Sequence, residues 1–381
     1  MAGPLGGLRV IELSGLGPGP FASMMLADLG ADVIKVDRAS SVRGGNPEAP
    51  PADVLSRNRQ SIGIDLKSPD GVETVLKLVE RADVLIEGFR PGVCERLGLG
   101  PEVCMERNPK LIFGRMTGWG QDGPWASRAG HDINYLALSG TLSMIGRKGE
   151  RPVPPVNLVG DFGGGGMLMA FGVLAAVFER STSGEGQVVD AAMVDGSALL
   201  ASMMYGLKAM GIWDGGQGGN MLDTGAHYYE VYETSDGKFV SVGGIEPQFY
   251  AELLERLEID PEAMPPQNDA GQWEASKAVI AARIAEKTRD EWDAVFDGSD
   301  ACYAPVLTPE EAAAHPHNVE RGTFVEVGGV TQPAPAPRFA RTPTDGPTPP
   351  DHIGQNTFVA LERWGFSVEE LDRLRDAGAI A

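Results

Sequence analysis

Two short stretches of this chain bring together side chains able to move a proton: Gly130-His131-Asp132, and Asp161 followed by Gly163-Gly164-Gly165-Gly166. Each opens an apolar run with helical periodicity, HDINYLALSGTLSMIG and DFGGGGMLMAFGVLAAVFER. An imidazole and a carboxylate therefore sit near two helix N-termini, where unpaired backbone N–H groups and the positive dipole end favour developing negative charge. Two bases and an anion-stabilising wall are what removal and return of a proton beside a carbonyl require. A helix start also favours the neutral imidazole from which a general base must act. Asp is an ordinary helix cap, so Asp161 alone would mean little. The four glycines add to it, because residues without side chains let a ligand approach the backbone.

Other side chains support the same site less directly. Glu246 lies in GGIEPQF, at a strand-to-helix junction. It reads either as a helix-entry carboxylate or as the partner that holds His131 in one tautomer. Met167, Met169, Met203, Met204 and Met210 lie on the long helices, where methionine fills cores and also suits flexible apolar ligands. The five histidines and three cysteines (Cys94, Cys104, Cys302) show no metal-ligand spacing, so no metal is expected. The odd cysteine count suits a reducing compartment, and a cytoplasmic location is expected. The start, MAGPLGGLRVIEL, lacks the pattern of a leader. No stretch reads as an unbroken membrane span, so membrane insertion is not expected.

The net charge is −21, which argues against nucleic acid as a partner. Its distribution is uneven: residues 1–110 hold 13 Lys/Arg against 15 Asp/Glu, and the other 271 residues hold 19 against 38. Lys35, Arg38, Arg43, Arg57, Arg59 and Lys67, followed by Arg90 and Arg96, concentrate the basic groups in one region. A polyanionic small molecule would find its charge partners there.

These groups must be positioned by a mostly parallel α/β sheet. Strand-like runs at Leu8–Leu13, Ala31–Val36, Ser61–Asp65, Asp83–Glu87 and Lys110–Gly114 alternate with helical patterns at Pro20–Leu29, Pro69–Arg81 and Pro101–Asn108. A strand at Gly186–Ala191 and a helix over Asp195–Met210 extend the pattern. The turn Gly15-Leu16-Gly17-Pro18-Gly19-Pro20 imitates a dinucleotide fingerprint, but Pro20 stands where the third glycine belongs. A nicotinamide oxidoreductase is therefore disfavoured. Residues 1–211, completed by 323–381, are expected to form a large domain, with a Gly-rich linker at 212–222 and a smaller α/β domain over 223–322. Beyond Thr323 the Pro-rich chain is expected to wrap over a surface.

The chain resembles the α-methylacyl-CoA racemases, a branch of the family III CoA-transferase superfamily. The likeness covers nearly its whole length and includes GPLGGLRVIEL, the GPGP turn, LADLGADVIKVDR, RNRQSIGIDLKS, LIEGFRPGVCERLGLG, GRMTGWGQDGP, NLVGDFGGG, GQVVDAAMVDG and SDACYAPVL. Many of these belong to the whole superfamily. GHDINY and GGIEPQFY are the racemase-like stretches.

The resemblance implies a large Rossmann-like domain and a smaller α/β domain in an interlocked homodimer. It implies that His131 and Asp161 exchange protons with opposite faces of a substrate α-carbon, through an enolate-like intermediate held near the backbone N–H of Asp132. Glu246 would be the histidine's carboxylate partner, contributed by the other subunit. Arg38, Lys67, Arg90 and Arg96 would contact the phosphates and adenosine end of CoA, which is part of the substrate, so no separate cofactor is implied. Tyr135 and Asn157 would support the site, and Gly163 and Met203 would contact substrate. A CoA-transferase is the alternative, with Asp161 as nucleophile in an aspartyl–CoA intermediate. It has no evident need of His131 paired with Glu246. A non-catalytic acyl-CoA-binding protein would need only the cations and the methionine face.

Overall fold

Strands buried on both faces must be apolar at successive positions, and Val84–Glu87 and Ile112–Thr117 are buried throughout. In the computed structural model, which describes residues 3–381, they join a six-stranded sheet. Its strands are β1 (Arg9–Leu13), β2 (Asp32–Arg38), β3 (Gln60–Ile64), β4 (Val84–Glu87), β5 (Ile112–Thr117) and β6 (Gln187–Ala192), in the order β3-β2-β1-β4-β5-β6. All pairings are parallel, with Val10 opposite Val33 and Val84, and Ile112 opposite Val84 and Gln187.

The two-residue alternation of the strands builds one core on each face. Val10, Val33, Val84, Ile86 and Ile112 pack with helix α1 (Pro18–Asp28). Ile11, Ile34, Leu85 and Phe113 pack with α2 (Pro69–Val79) and with the C-terminal helices Thr357–Arg363 and Val368–Asp376. The connections after β1 and β4 leave the sheet in opposite directions, and ligands of open α/β sheets bind at such a crevice. The segments α3 (Val93–Arg96), α4 (Pro101–Arg107) and α5 (Asp132–Leu138) follow β4 and β5.

Between Asn157 and β6 the chain forms a π-helical stretch, Leu158–Met167, continued by α6 (Leu168–Ser183). Together, Leu158–Ser183 is 26 residues long and apolar enough to cross a membrane by length and composition, contrary to the expectation from sequence. Met169, Ala170, Val173 and Ala176 of this stretch are buried in the sheet core, which accounts for part of its apolarity.

The helix expected over Asp195–Met210 is two helices, α7 (Met193–Leu200) and α8 (Ser202–Ala209), broken at Ala201. Likewise α5 stops at Leu138, since Gly140 at φ 84° cannot continue it. The chain divides into two compact units at these breaks. The first comprises the described chain up to Ser139, Val156–Leu200 and Pro316–Ala381; the second comprises Gly140–Pro155 and Ala201–His315. The division therefore falls after Leu200, ahead of the Gly-rich segment 212–222, and assigns 140–155 to the second unit.

The second unit is built on antiparallel strands β7 (Tyr229–Glu233), β8 (Phe239–Gly243) and β9 (Tyr303–Pro305). Helices α9 (Pro247–Arg256), α10 (Trp273–Ile284) and α11 (Arg289–Phe296) cover them through Tyr228, Leu253, Ile280 and Trp292. In the first unit, the Pro-rich stretch after Thr323 contains an unexpected hairpin, Phe324–Val327 with Val330–Pro333. Buried Arg57 ties it to α1, donating to Asp28 Oδ2 (2.5 Å), Gln332 Oε1 (2.9 Å) and the Pro333 carbonyl (2.7 Å).

The π-helical stretch rests on α7 with no room for side chains. A Cβ on Gly196 would lie 1.8 Å from the Gly164 carbonyl oxygen. Gly196→Ala is expected to lower unfolding free energy by about 1–3 kcal/mol or more, as overpacking of a tight core does. Urea denaturation measures it, and an unchanged midpoint would contradict the packing described.

Candidate active site

His131 is the N-cap of α5, in extended conformation, because its carbonyl accepts the Asn134 N–H (2.8 Å) and its own N–H donates to Asn134 Oδ1 (3.1 Å). This leaves the imidazole exposed. The preceding residue is held by Tyr135, whose hydroxyl donates to the Gly130 carbonyl. The Tyr135 ring lies edge-on to Trp119, centroids 4.7 Å apart, in space that a Cβ on Gly118 or Gly130 would occupy. Burial pushes the phenol up to about 12, with Asp161 reinforcing the effect and Arg90 opposing it. Tyr135 is thus a neutral hydrogen-bond donor that fixes the approach to His131.

Asp161 is not an N-cap, which removes its purely structural explanation. Asn157 takes that place, and Asp161 lies in the first turn of the π-helical stretch. Asn157 (φ 63°) and the preceding Val156 (φ 48°) are both left-handed. For β-branched Val156 this backbone is strained, and such strain gathers at functional sites. The bend turns the Asn157 side chain back, so that its Nδ2 donates to Asp161 Oδ2 at 2.7 Å.

The Asp161 backbone N–H donates to Asp132 Oδ1 at 2.8 Å, joining α5 to the π-helical stretch. Burial raises the proton affinity of Asp161; the Asn157 hydrogen bond opposes this, the Asp132 charge adds to it and His131 opposes it. The imidazole and both carboxylates therefore lie within electrostatic reach of one another. A Cβ on Gly17 would sit 3.3 Å from Asp161 Oδ2, so the turn after β1 also borders the carboxylate. In the sequence this turn is no more than a failed nucleotide fingerprint. Its signal was Gly17, a left-handed glycine (φ 68°) before the prolines.

The glycine run does not play the role expected of it. Cβ atoms on Gly164, Gly165 and Gly166 would collide with Ser197, Met193, Pro18 or Phe21, so protein fills the space assigned to a ligand. Gly163 is half-buried, beside Leu158 and Leu200. Met169 is core, whereas Met167 and Met203 are exposed. Glu246 is the exposed N-cap of α9, and Met203 lies on α8, both in the second unit.

The basic region separates into two sets. Lys35, Arg57 and Arg59 pair internally with Asp37, Asp28 and Glu12. Asp37 also accepts from Ser61 Oγ (2.7 Å). Arg38, Lys67, Arg90 and Arg96 are exposed and form no ion pair with the described residues. Arg38 ends β2, while Lys67 and Arg90 follow β3 and β4, at the carboxyl edge where the crevice opens. Arg96 ends α3. The set could hold several phosphates.

The family model described as CoA-transferase family III matches residues 5–357. The chain belongs to this family. It is 48% identical over 372 residues to the alpha-methylacyl-CoA racemase of Mus musculus, covering 97% of this chain and 96% of that protein. The alpha-methylacyl-CoA racemase of Homo sapiens is 47% identical over 373 residues, with the same coverage. Among solved structures, a CAIB/BAIF family protein from Brucella suis superposes with a TM-score of 0.80 at 26% identity, covering 96% of this chain and all of that one.

Asn157 stabilises the charged form of Asp161. Asn157→Ala removes that donor, so titration of the Asp161 carboxyl followed by carbon-13 NMR should move to higher pH. A move to lower pH would show that Asn157 is not the group restraining its proton affinity.

Proposed function

We propose that the protein interconverts (2R)- and (2S)-2-methylacyl-CoA thioesters by moving the α-proton. One observation carries the reading: His131 and Asp161, an imidazole and a carboxylate, sit on two elements that a direct hydrogen bond joins. The identity to racemases over almost the full chain supports it.

In this reading one group takes the α-proton and the C–H electron pair moves into the thioester, giving an enolate. The other group then protonates the opposite face, and the roles reverse for the second enantiomer. The backbone N–H of Asp132, first in α5, would receive the enolate oxygen. Glu246, contributed by the other subunit, would orient His131 and stabilise its cation. Arg38, Lys67, Arg90 and Arg96 would bind the phosphates and adenosine end of CoA, while Gly163 and Met203 would face the acyl group. CoA arrives as part of the substrate, so the chemistry calls for no separate cofactor. The branched thioester places the enzyme in fatty-acid metabolism, and unpaired cysteines suit the cytoplasm.

A pure (2S)-2-methylacyl-CoA, incubated with the protein in D₂O without acceptor acid, should gain one α-deuterium and yield the 2R epimer. His131→Ala and Asp161→Ala should each slow formation of the 2R epimer by roughly 10²–10⁴-fold, the usual contribution of a proton-transfer group, and the one lacking the group that takes the 2S proton should lose deuterium uptake as well. Absence of exchange and epimer would overturn the racemase reading. Transfer of CoA to an added acid would then point to Asp161 as a nucleophile.

An interlocked homodimer belongs to the same reading. Phe171 and Phe178 on α6 are 72% and 78% exposed, and Leu199 and Leu200 are also exposed, more apolar surface than a lone chain ordinarily shows. Light scattering should give twice the 40.3 kDa chain mass. A monomer at micromolar concentration would refute this assembly.

A further inference from the structure

Asp132 is 3% exposed, yet it forms no ion pair with the described residues. A buried carboxylate without a cation is costly and calls for a reason beyond packing. Its Oδ1 accepts the backbone N–H of Asp161 at 2.8 Å. The neighbouring backbone is cut to admit it: a Cβ on Gly160 would lie 2.3 Å from that same oxygen. Asp132 directly follows His131, and Gly160 directly precedes Asp161. One side chain thus joins the residue beside one proton-transfer group to the backbone of the other.

We propose that the Asp132 carboxylate is a positioning residue that sets Asp161, more than His131, at its proton-transfer distance. It deepens the reading above and rests on it. His131 has its own support, from Asn134 on one side and from Tyr135 through Gly130 on the other. The backbone N–H of Asp161 is held by Asp132, whereas Asn157 holds only its side chain. Loss of the Asp132 acceptor should therefore harm the two directions of proton abstraction unequally.

The test follows α-deuterium uptake in D₂O separately from each pure enantiomer of a 2-methylacyl-CoA. In a two-base site, one enantiomer loses its proton to His131 and the other to Asp161. His131→Ala and Asp161→Ala assign which is which. In Asp132→Leu, near in shape but without an acceptor, uptake from the Asp161-facing enantiomer should fall at least tenfold more than uptake from the other, since sub-ångström misplacement costs on the order of 10–10²-fold. Asp132→Asn retains an acceptor oxygen and should restore the wild-type ratio. Gly160→Ala, which displaces the carboxylate without removing it, should reproduce the imbalance. If Asp132→Leu does not fold, as judged by circular dichroism, Asp132→Ala replaces it.

Equal losses from both enantiomers, or an unchanged ratio in a folded variant, would overturn the positioning role and leave the racemase reading standing. Failure of the wild-type protein to exchange either enantiomer would overturn that reading itself.

Discussion

The site depends on one contact between backbones. Gly164 and Gly196 meet so closely that neither tolerates a methyl group, and this lets the π-helical stretch lie directly on α7. A ten-residue π-helix is poor in intrinsic stability, since its ring of backbone atoms is wide and its packing inside loose. Contacts from outside compensate. Gly165 and Gly166 bring the same stretch against Pro18 and Phe21 of α1. Two elements, α7 and α1, thus fix a backbone that would otherwise relax to an ordinary helix. Asp161 inherits its direction from that backbone and comes to face the Gly17 turn.

Among the described residues, buried charges follow one rule, with a single departure beside His131 and Asp161. Arg57, Arg59 and Arg115 are buried and each finds carboxylates: Asp28, Glu12, and Glu87 with Glu95. Glu87 also accepts the Phe89 N–H (2.7 Å), which pins the turn leading to Arg90. The paired arginines are committed within the fold, and Arg38, Lys67, Arg90 and Arg96, which form no ion pair with the described residues, remain available to an anion. Asp132 breaks the rule, being buried with backbone as its partner. Departures from local consistency are expected where function demands them.

Much of this was legible in the residues. The alternation of apolar runs with helical patterns located the six parallel strands to within a few positions, because a strand buried on both faces can hold little else. His131 and Asp161 were legible as a pair because each precedes an apolar segment and follows a loop. The π-helical geometry was not: glycine-rich DFGGGGM satisfies helical periodicity equally well, and only contacts with α1 and α7 select the wider turn. The hairpin after Thr323 was hidden because its strands are four residues each and lie in Pro-rich sequence. Arg57 and Arg59 looked like ligand-binding cations, since nothing local reveals carboxylate partners 29 and 47 residues away, whereas the partner of Lys35, Asp37, lies two residues on along the same strand. Gly17 and Gly160 were missed for a related reason: the groups they make room for are distant in sequence or on another element.

The environment of Asp161 bears on which chemistry within the family suits it. A nucleophilic carboxylate must be ionised and accessible, and both desolvation and the neighbouring charge of Asp132 work against its ionised form. For proton transfer the same influences help. An ordinary carboxylate is far weaker as a base than imidazole, so a site that pairs them would favour taking the proton with histidine and returning it with aspartic acid. Raising the proton affinity of the carboxylate narrows that gap. The two enantiomers of a 2-methylacyl thioester have nearly equal free energy at the reacting carbon, so balanced groups on its two faces suit a reaction that must run both ways. Half-burial of Asp161, restrained by Asn157 and reinforced by Asp132, moves the pair toward that balance.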